Sequence, residues 1–297
     1  MHSPSIRHRG GVSEQQRVVV GVDGSESSRV GLRWALAEAQ LRDATLEVLH
    51  AWRTPMIFVP LAYSQELVEM GKMHDAALAF IDEQLDAVGA DADCGVVIEP
   101  AAVEGYAAHA LIEASHRAQL VVVGRHGQGG FPHELIGPKA VQVAHHSACP
   151  VTVVPDEWTG DGRGVVVGVD GSEPSAAALV WAVAEAARRH APLTAVMAWG
   201  LLDQHHPPGA EPFDPHYSEA DALATLDEFV ASAVGAESPV LSTVVNDLPA
   251  RALIDLSGAA ELLVVGARGL GGFRDLLLGS VSHRCLAQSR CPTVVVR

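Results

Sequence analysis

The chain repeats itself. Residues 17–23 read RVVVGVD and residues 163–170 read RGVVVGVD, and each run continues into a Gly-Ser pair, Gly24-Ser25 and Gly171-Ser172. Asp23 and Asp170 stand 147 residues apart, and Trp34/Trp181 and Trp52/Trp199 keep that offset. Further on, Ala110-Leu111-Ile112-Glu113 answers to Ala252-Leu253-Ile254-Asp255 at an offset of 142, which Gly124/Gly266 and Cys149-Pro150/Cys291-Pro292 also hold. The second copy is therefore five residues shorter in its middle. A unit of about 145 residues is the size of a domain and too long for a solenoid repeat. The expected division is a disordered tail at 1–16, a first domain at 17–155, a polar and glycine-rich linker at 156–163, and a second domain at 164–297.

Within each copy, valine-rich runs alternate with helical patterns. The first strand is expected at 18–22 and 165–169. A helix follows, with Val30, Trp34, Leu36, Ala37 and Leu41 at helical spacing and Ser25 or Ser172 near its start as a cap. Further strands are expected at 45–51, 96–99, 120–123 and 151–154, and at 193–199, 240–246, 262–265 and 293–296. Helices at 65–88 and 107–116, and at 218–234 and 249–257, fill the intervals, with a fourth before the last strand. Near-continuous apolar strands separated by helices predict the α/β class: parallel sheets covered on both faces. Right-handed crossovers make such a sheet doubly wound.

The chemistry is concentrated after the fourth strand. Gly124, Gly127 and Gly137 recur as Gly266, Gly269 and Gly279, and Ser280 follows the last of these. A glycine-rich loop that ends at a helix start offers unpaired N–H groups and the positive end of the helix dipole, an arrangement suited to a polyphosphate. On spacing alone a tight turn that binds nothing fits equally well. The loop is not a Walker motif, since no GxxxxGK[ST] occurs, and no GxGxxG follows the first strand. Ligands of doubly wound sheets lie beyond the strand C-termini where the order reverses. For the order 3-2-1-4-5 that crevice lies between strands 1 and 4, where Asp23 and Gly124, or Asp170 and Gly266, end their strands. A carboxylate there either accepts from a ribose hydroxyl or adenine amine, or closes an Asx turn or helix cap.

Both copies resemble the universal stress protein family: the VGVDGS starts, G-x2-G-x9-G-[S/T] at Gly266, Gly269, Gly279 and Ser280, and the CPTVVV end carry the likeness. The whole chain is similar to the tandem two-domain actinobacterial members, over residues 16–155 and 163–297. The resemblance implies an adenine-nucleotide-binding α/β fold, two tandem doubly wound sheets of order 3-2-1-4-5, and dimerisation that often involves the last strands. It implies that Asp170 and Asp23 contact the nucleoside of ATP, that the backbone at Met197, Ala198 and Trp199, and at His50, Ala51 and Trp52, flanks the adenine, and that the glycines and Ser280 hold the phosphates. Magnesium would sit on phosphate oxygens or, through water, on Asp170.

The first copy departs from this pattern, because Pro138 follows Gly137. Proline suits the first helical position but brings neither an N–H nor a hydroxyl. Each hydrogen bond to a charged partner is worth roughly 1.5–3 kcal/mol, so losing both weakens binding by about two orders of magnitude or more. Tighter binding is therefore expected in the second copy, with Lys139 able to restore some attraction as a point charge. Arg125 and Arg268, after the first glycine of each loop, are candidate phosphate contacts or solvated side chains.

Composition excludes other classes. Twenty basic residues against 36 acidic ones give a formal net charge of −16, which argues against nucleic acid and anionic membranes as partners. No apolar run reaches the length of a membrane span, and residues 1–16 lack the apolar core of a secretory signal, so a cytoplasmic location is expected. Cys94, Cys149, Cys285 and Cys291 show no metal-ligand spacing and read as small buried residues. The histidines of the proline-rich stretch 201–217 (His205, His206, His216) read as part of a lid over the adenine, with no metal site. His145-His146 near a helix end suits the helix dipole. There is no G-x-S-x-G elbow and no nucleophile–base pair. The expected function is a nucleotide-dependent regulatory or stress-response module, a homodimer with a protein partner of unknown identity. A slow ATPase or phosphotransferase, and an interaction scaffold with empty sites, are the alternatives.

Overall fold

The computed structural model describes residues 16–53, 66–90, 95–128, 136–199, 218–270 and 278–297. The first half contains β1 (Arg17–Gly21), α1 (Glu26–Leu41), β2 (Thr45–Trp52), α2 (Glu66–Ala87), β3 (Ile98–Glu104), α3 (Ala107–Ser115), β4 (Leu120–Gly124), α4 (Pro138–His146) and β5 (Val151–Val154). The second half repeats the series as β6 (Val165–Gly168), α5 (Glu173–Arg189), β7 (Leu193–Ala198), α6 (Glu219–Val234), β8 (Val240–Val245), α7 (Pro249–Leu256), β9 (Leu262–Gly266), α8 (Ser280–Gln288) and β10 (Thr293–Val296).

Each half forms a parallel sheet in the order expected, 3-2-1-4-5, and the two sheets join into one of ten strands, β3-β2-β1-β4-β5-β10-β9-β6-β7-β8. Among the described strands only the central β5–β10 pair is antiparallel. In that pair Thr152 lies opposite Val294, its own counterpart in the repeat, so a pseudo-twofold axis passes between them. The halves therefore run in opposite directions, and their crevices open on opposite rims of the sheet.

Apolar residues cover both faces, as valine-rich parallel strands require. One core gathers α1, α2, α5 and α6, with Leu32, Ile81, Leu179 and Leu226 fully buried. The other gathers α3, α4, α7 and α8 around Leu111, Val143, Leu253 and Leu286. Trp34 and Trp181 belong to the first core, as their helical spacing predicts. Ser25 and Ser172 cap α1 and α5 by accepting from the N–H of Ser28 and Ser175. The third strand differs from expectation. It runs on to Glu104 through Pro100. β3 is an edge strand, where a proline costs no inner ladder bond, so the proline does not end it.

Charged groups also cross between the halves. Arg42 reaches Glu38 on its own helix and Glu185 on α5, both at 2.6 Å. Arg189 binds Glu185 at 2.9 Å and reaches back to Glu38. These four side chains are nearly fully buried. Glu38 and Glu185, and Arg42 and Arg189, are counterparts at the 147-residue offset, so the ring is symmetric about the pseudo-axis. Burial disfavours charge on both carboxyls. Arg42 and Arg189 nonetheless hold Glu38 below the usual carboxylate range, whereas burial and the adjacent Glu38 charge push Glu185 up.

Candidate functional site

β1 ends at Gly21, and the Val22 N–H makes one last bond to the Leu49 carbonyl at 2.9 Å. The chain then turns at Asp23. Its Oδ1 accepts from the Ser25 N–H at 3.1 Å and from the Ser25 hydroxyl at 2.7 Å. Its Oδ2 accepts from the Gln128 N–H, 3.0 Å away in the loop after β4. Asp170 repeats this, taking the Ser172 N–H and hydroxyl on Oδ1 and the Leu270 N–H at 3.0 Å on Oδ2. Each aspartate is thus an Asx turn and also a strut across the switch point to the glycine loop. Burial opposes the charge on Asp23, but the Ser25 hydroxyl, the backbone donors and Lys139 outweigh it and hold its carboxyl below the usual range.

The strut explains one pair of glycines. A Cβ on Gly127 would lie 2.8 Å from Asp23 Oδ2, and one on Gly269 would lie 2.2 Å from Asp170 Oδ2. The first glycines answer to a different neighbour. A Cβ on Gly124 would meet the Ser27 carbonyl oxygen at 2.5 Å, and one on Gly266 the Pro174 carbonyl oxygen at 2.7 Å. These positions are bare because the start of α1 or α5 packs against them. Gly137 and Gly279 are the N-cap residues of α4 and α8. Each closes its loop by donating its N–H to a carbonyl at the loop's start, Arg125 at 2.9 Å and Ala267 at 2.8 Å.

Between strut and helix the first half holds a cavity of about 410 Å³. Its apolar wall includes Val22, Leu49, Leu111 and Ile136, and its polar end includes Asp23, Gly127 and Lys139. The end of β2 borders it. Leu49 turns its carbonyl to β1, and Trp52 turns its own to Gly105 beyond β3. By strand alternation Ala51 presents its main-chain groups on the β1 side, past the end of β1, while His50 faces β3. The same alternation puts Ala198 on the crevice side and Met197 toward β8, given the Val169–Val196 and Trp199–Val245 bonds. The His50 ring lies against Phe80, with its Nδ1 2.9 Å from the Val22 carbonyl. Of the residues expected beside an adenine, Ala51 and Ala198 are the ones whose backbone is turned to the crevices.

The helix starts differ as the sequence implies. Pro138 is the first residue of α4, which leaves the N–H groups of Lys139 and Ala140 free of helix partners, and the Lys139 ammonium lies 3.6 Å from Asp23 Oδ2. In α8 the exposed Ser280 is first, and the N–H groups of Ser280, Val281 and Ser282 lie in the first turn.

Arg125 and Arg268 do not occupy equivalent places. Gly124-Arg125-His126-Gly127 aligns with Gly266-Ala267-Arg268-Gly269, so the counterpart of Arg268 is His126. Arg125 is buried and donates to the Ser289 carbonyl at the end of α8, in the other half. Arg297, just past β10, donates to the Ala144 carbonyl in the last turn of α4 at 2.7 Å. Each half thus lends a cation to the C-terminal end of the other's fourth helix, where the dipole favours it. Sequence reasoning missed this, because nothing in the residues around Ser289 or Ala144 announces a partner from the other copy. His126 contacts Asp156 at 2.6 Å. Burial and the neighbouring His146, Arg297 and His283 make His145 harder to protonate than usual. His205, His206 and His216 lie outside the described residues. Among the described residues no cluster of metal-ligand type occurs, and no helix is long and apolar enough to cross a membrane.

The profile of the universal stress protein family matches residues 15–155 and 163–297. A universal stress protein of Mycobacterium tuberculosis is 33% identical over 296 residues, 94% of this chain and 96% of its own. A universal stress protein of Archaeoglobus fulgidus has the same fold, with a TM-score of 0.66 and 19% identity over 95% of this chain and 98% of its own. Two matches to the profile, the near-full-length likeness and the matching sheet agree: this chain belongs to the universal stress protein family.

Proposed function

We propose that the two crevices bind an adenine nucleotide, ATP in the first instance, and that the chain is a nucleotide-dependent regulatory module of the stress response. The observation that carries this reading is the strut at each switch point. An aspartate at the end of the first strand is fixed against a glycine loop, with an open helix N-terminus beside it and, in the first half, an apolar cavity behind it. The apolar wall suits a base, the main chain of Ala51 or Ala198 suits its edge, and the helix start suits phosphate. Magnesium would be carried on the phosphates, because Asp23 and Asp170 are already engaged by chain donors.

The second crevice is the tighter one in this reading, since α8 brings one more first-turn N–H and the Ser280 hydroxyl. The domains, at 17–155 and 164–297, already pair β5 with β10, so a homodimer or a protein partner uses other surfaces. Calorimetric titration of the full chain with ATP and magnesium tests the proposal. Two unequal sites are expected, and no uptake at millimolar ATP would overturn it. The described site offers no nucleophile–base pair, so any hydrolysis is slow. Turnover abolished by a bulky residue at Gly269 would favour an ATPase instead.

A further inference from the structure

The two crevices share the strut and the glycine loop but differ at the helix start, where Pro138-Lys139 stands in place of Ser280-Val281. In the second half the residue after Ser280 is Val281. In the first half its counterpart is Lys139, whose ammonium lies 3.6 Å from Asp23 Oδ2. A Cβ placed on Gly127 would be 2.8 Å from Asp23 Oδ2 and 3.7 Å from Lys139 Nζ. Carboxylate, bare loop and ammonium therefore converge on one point of the cavity wall. The ammonium sits on the helix turn where Pro138 has removed a donor.

Three observations bear on what Lys139 does there. It lines the cavity together with Asp23, Gly127 and Ile136. Its side chain is 56% exposed, so the contact with Asp23 is not a packed structural bridge. Asp23 keeps its bonds from Ser25 and Gln128 without it, so the ammonium can leave the carboxylate with the strut intact. An exposed ion pair of this kind contributes little to stability. A dianionic phosphate at the start of α4 would be a stronger partner than one shared carboxylate oxygen.

Resting on the nucleotide reading above, we propose that Lys139 is the phosphate-recognising group of the first crevice. It replaces, by charge, the amide and hydroxyl that Ser280 supplies in the second. The first crevice then selects its ligand by phosphate charge and the second by hydrogen-bond geometry. A point charge is screened by salt more strongly than short directional bonds are, so the two crevices differ in salt dependence.

The experiment is calorimetric titration of the full chain, as wild type, Lys139→Met and Lys139→Arg, with ATP, adenosine and inorganic tripolyphosphate, at low and high salt. In Lys139→Met one of the two ATP sites is expected to weaken by about tenfold or more, while Lys139→Arg keeps most of the affinity. The same site in wild type should lose more affinity with salt than the other, and should persist when Asp170 is replaced by Asn. Tripolyphosphate competing at that site in wild type but not in Lys139→Met would assign the contact to phosphate rather than to the base. Two ATP sites unchanged by Lys139→Met would overturn the role of Lys139 and leave the nucleotide reading standing. No ATP uptake by wild type would overturn both. Circular dichroism confirms that the variants are folded, as expected for an exposed position.

Discussion

The guanidinium of Arg42 lies over the indole of Trp181, 5.6 Å from the ring centre, and its repeat counterpart Arg189 lies 6.0 Å from the ring centre of Trp34. Each arginine therefore reaches across the pseudo-axis to the aromatic ring of the other copy. Its charge meets the glutamates of both halves.

Breaking this ring should be expensive. Arg189→Met leaves Glu38 and Glu185 buried together with one guanidinium fewer, and removing one partner of a buried pair costs about 3–5 kcal/mol. Arg33→Met, which breaks the exposed contact with Glu26, should cost under about 1 kcal/mol. Urea denaturation of the two variants gives the comparison, with the midpoint of Arg189→Met much the lower.

Much of this was legible beforehand, but unevenly. The strands, the aspartates that end the first strands and the glycine loops follow from valine runs and repeat spacing, whereas the order 3-2-1-4-5 follows from the family resemblance. For Asp23 the sequence favours a ligand contact over an Asx turn, and in the structure its carboxylate makes the turn and also grips the loop. Glu38 and Arg42 stood four apart on a helix with Trp34, and recurred at the same offset, so a signal for the ring was present. What no single copy shows is that α1 and α5 face each other. For the same reason Arg125 read as a loop cation, whereas its partner is a carbonyl of α8 in the other half.

The glycines of each loop should fail in different ways. Gly124→Ala and Gly266→Ala press a methyl on the main chain of α1 or α5, which cannot step aside. Overpacking of this kind costs typically 1–3 kcal/mol, read as a fall in thermal midpoint. Gly127→Ala and Gly269→Ala meet only the tip of an aspartate side chain. Those variants should stay nearly as stable and instead lose the strut. Amide exchange at Gln128 and Leu270 should then be faster than in the parent.

Acid should release the first strut late. Asp23 has its carboxyl held below the ordinary range in the folded chain. Its contribution to stability is therefore complete above the unfolded value of about 4 and is lost as pH falls through the lower folded value. Asp23→Asn removes this proton uptake. Its stability should decline less steeply below about pH 4 than that of wild type, measured by urea titration across the acid range.

Burial pushes the thiols of Cys149, Cys285 and Cys291 up to about 12. The thiolate is the reactive form, so these residues should be inert in the folded chain. Iodoacetamide at pH 8 followed by mass spectrometry is expected to leave all three unmodified until urea unfolds the protein.

The antiparallel seam of β5 and β10 carries a last implication. Two separate chains meeting through such strands would part on dilution, by mass action. Here the meeting is intramolecular, so its extent does not depend on how much protein is present. Gene duplication has thus turned an association constant into a fixed architecture, free to carry different residues at its two mouths.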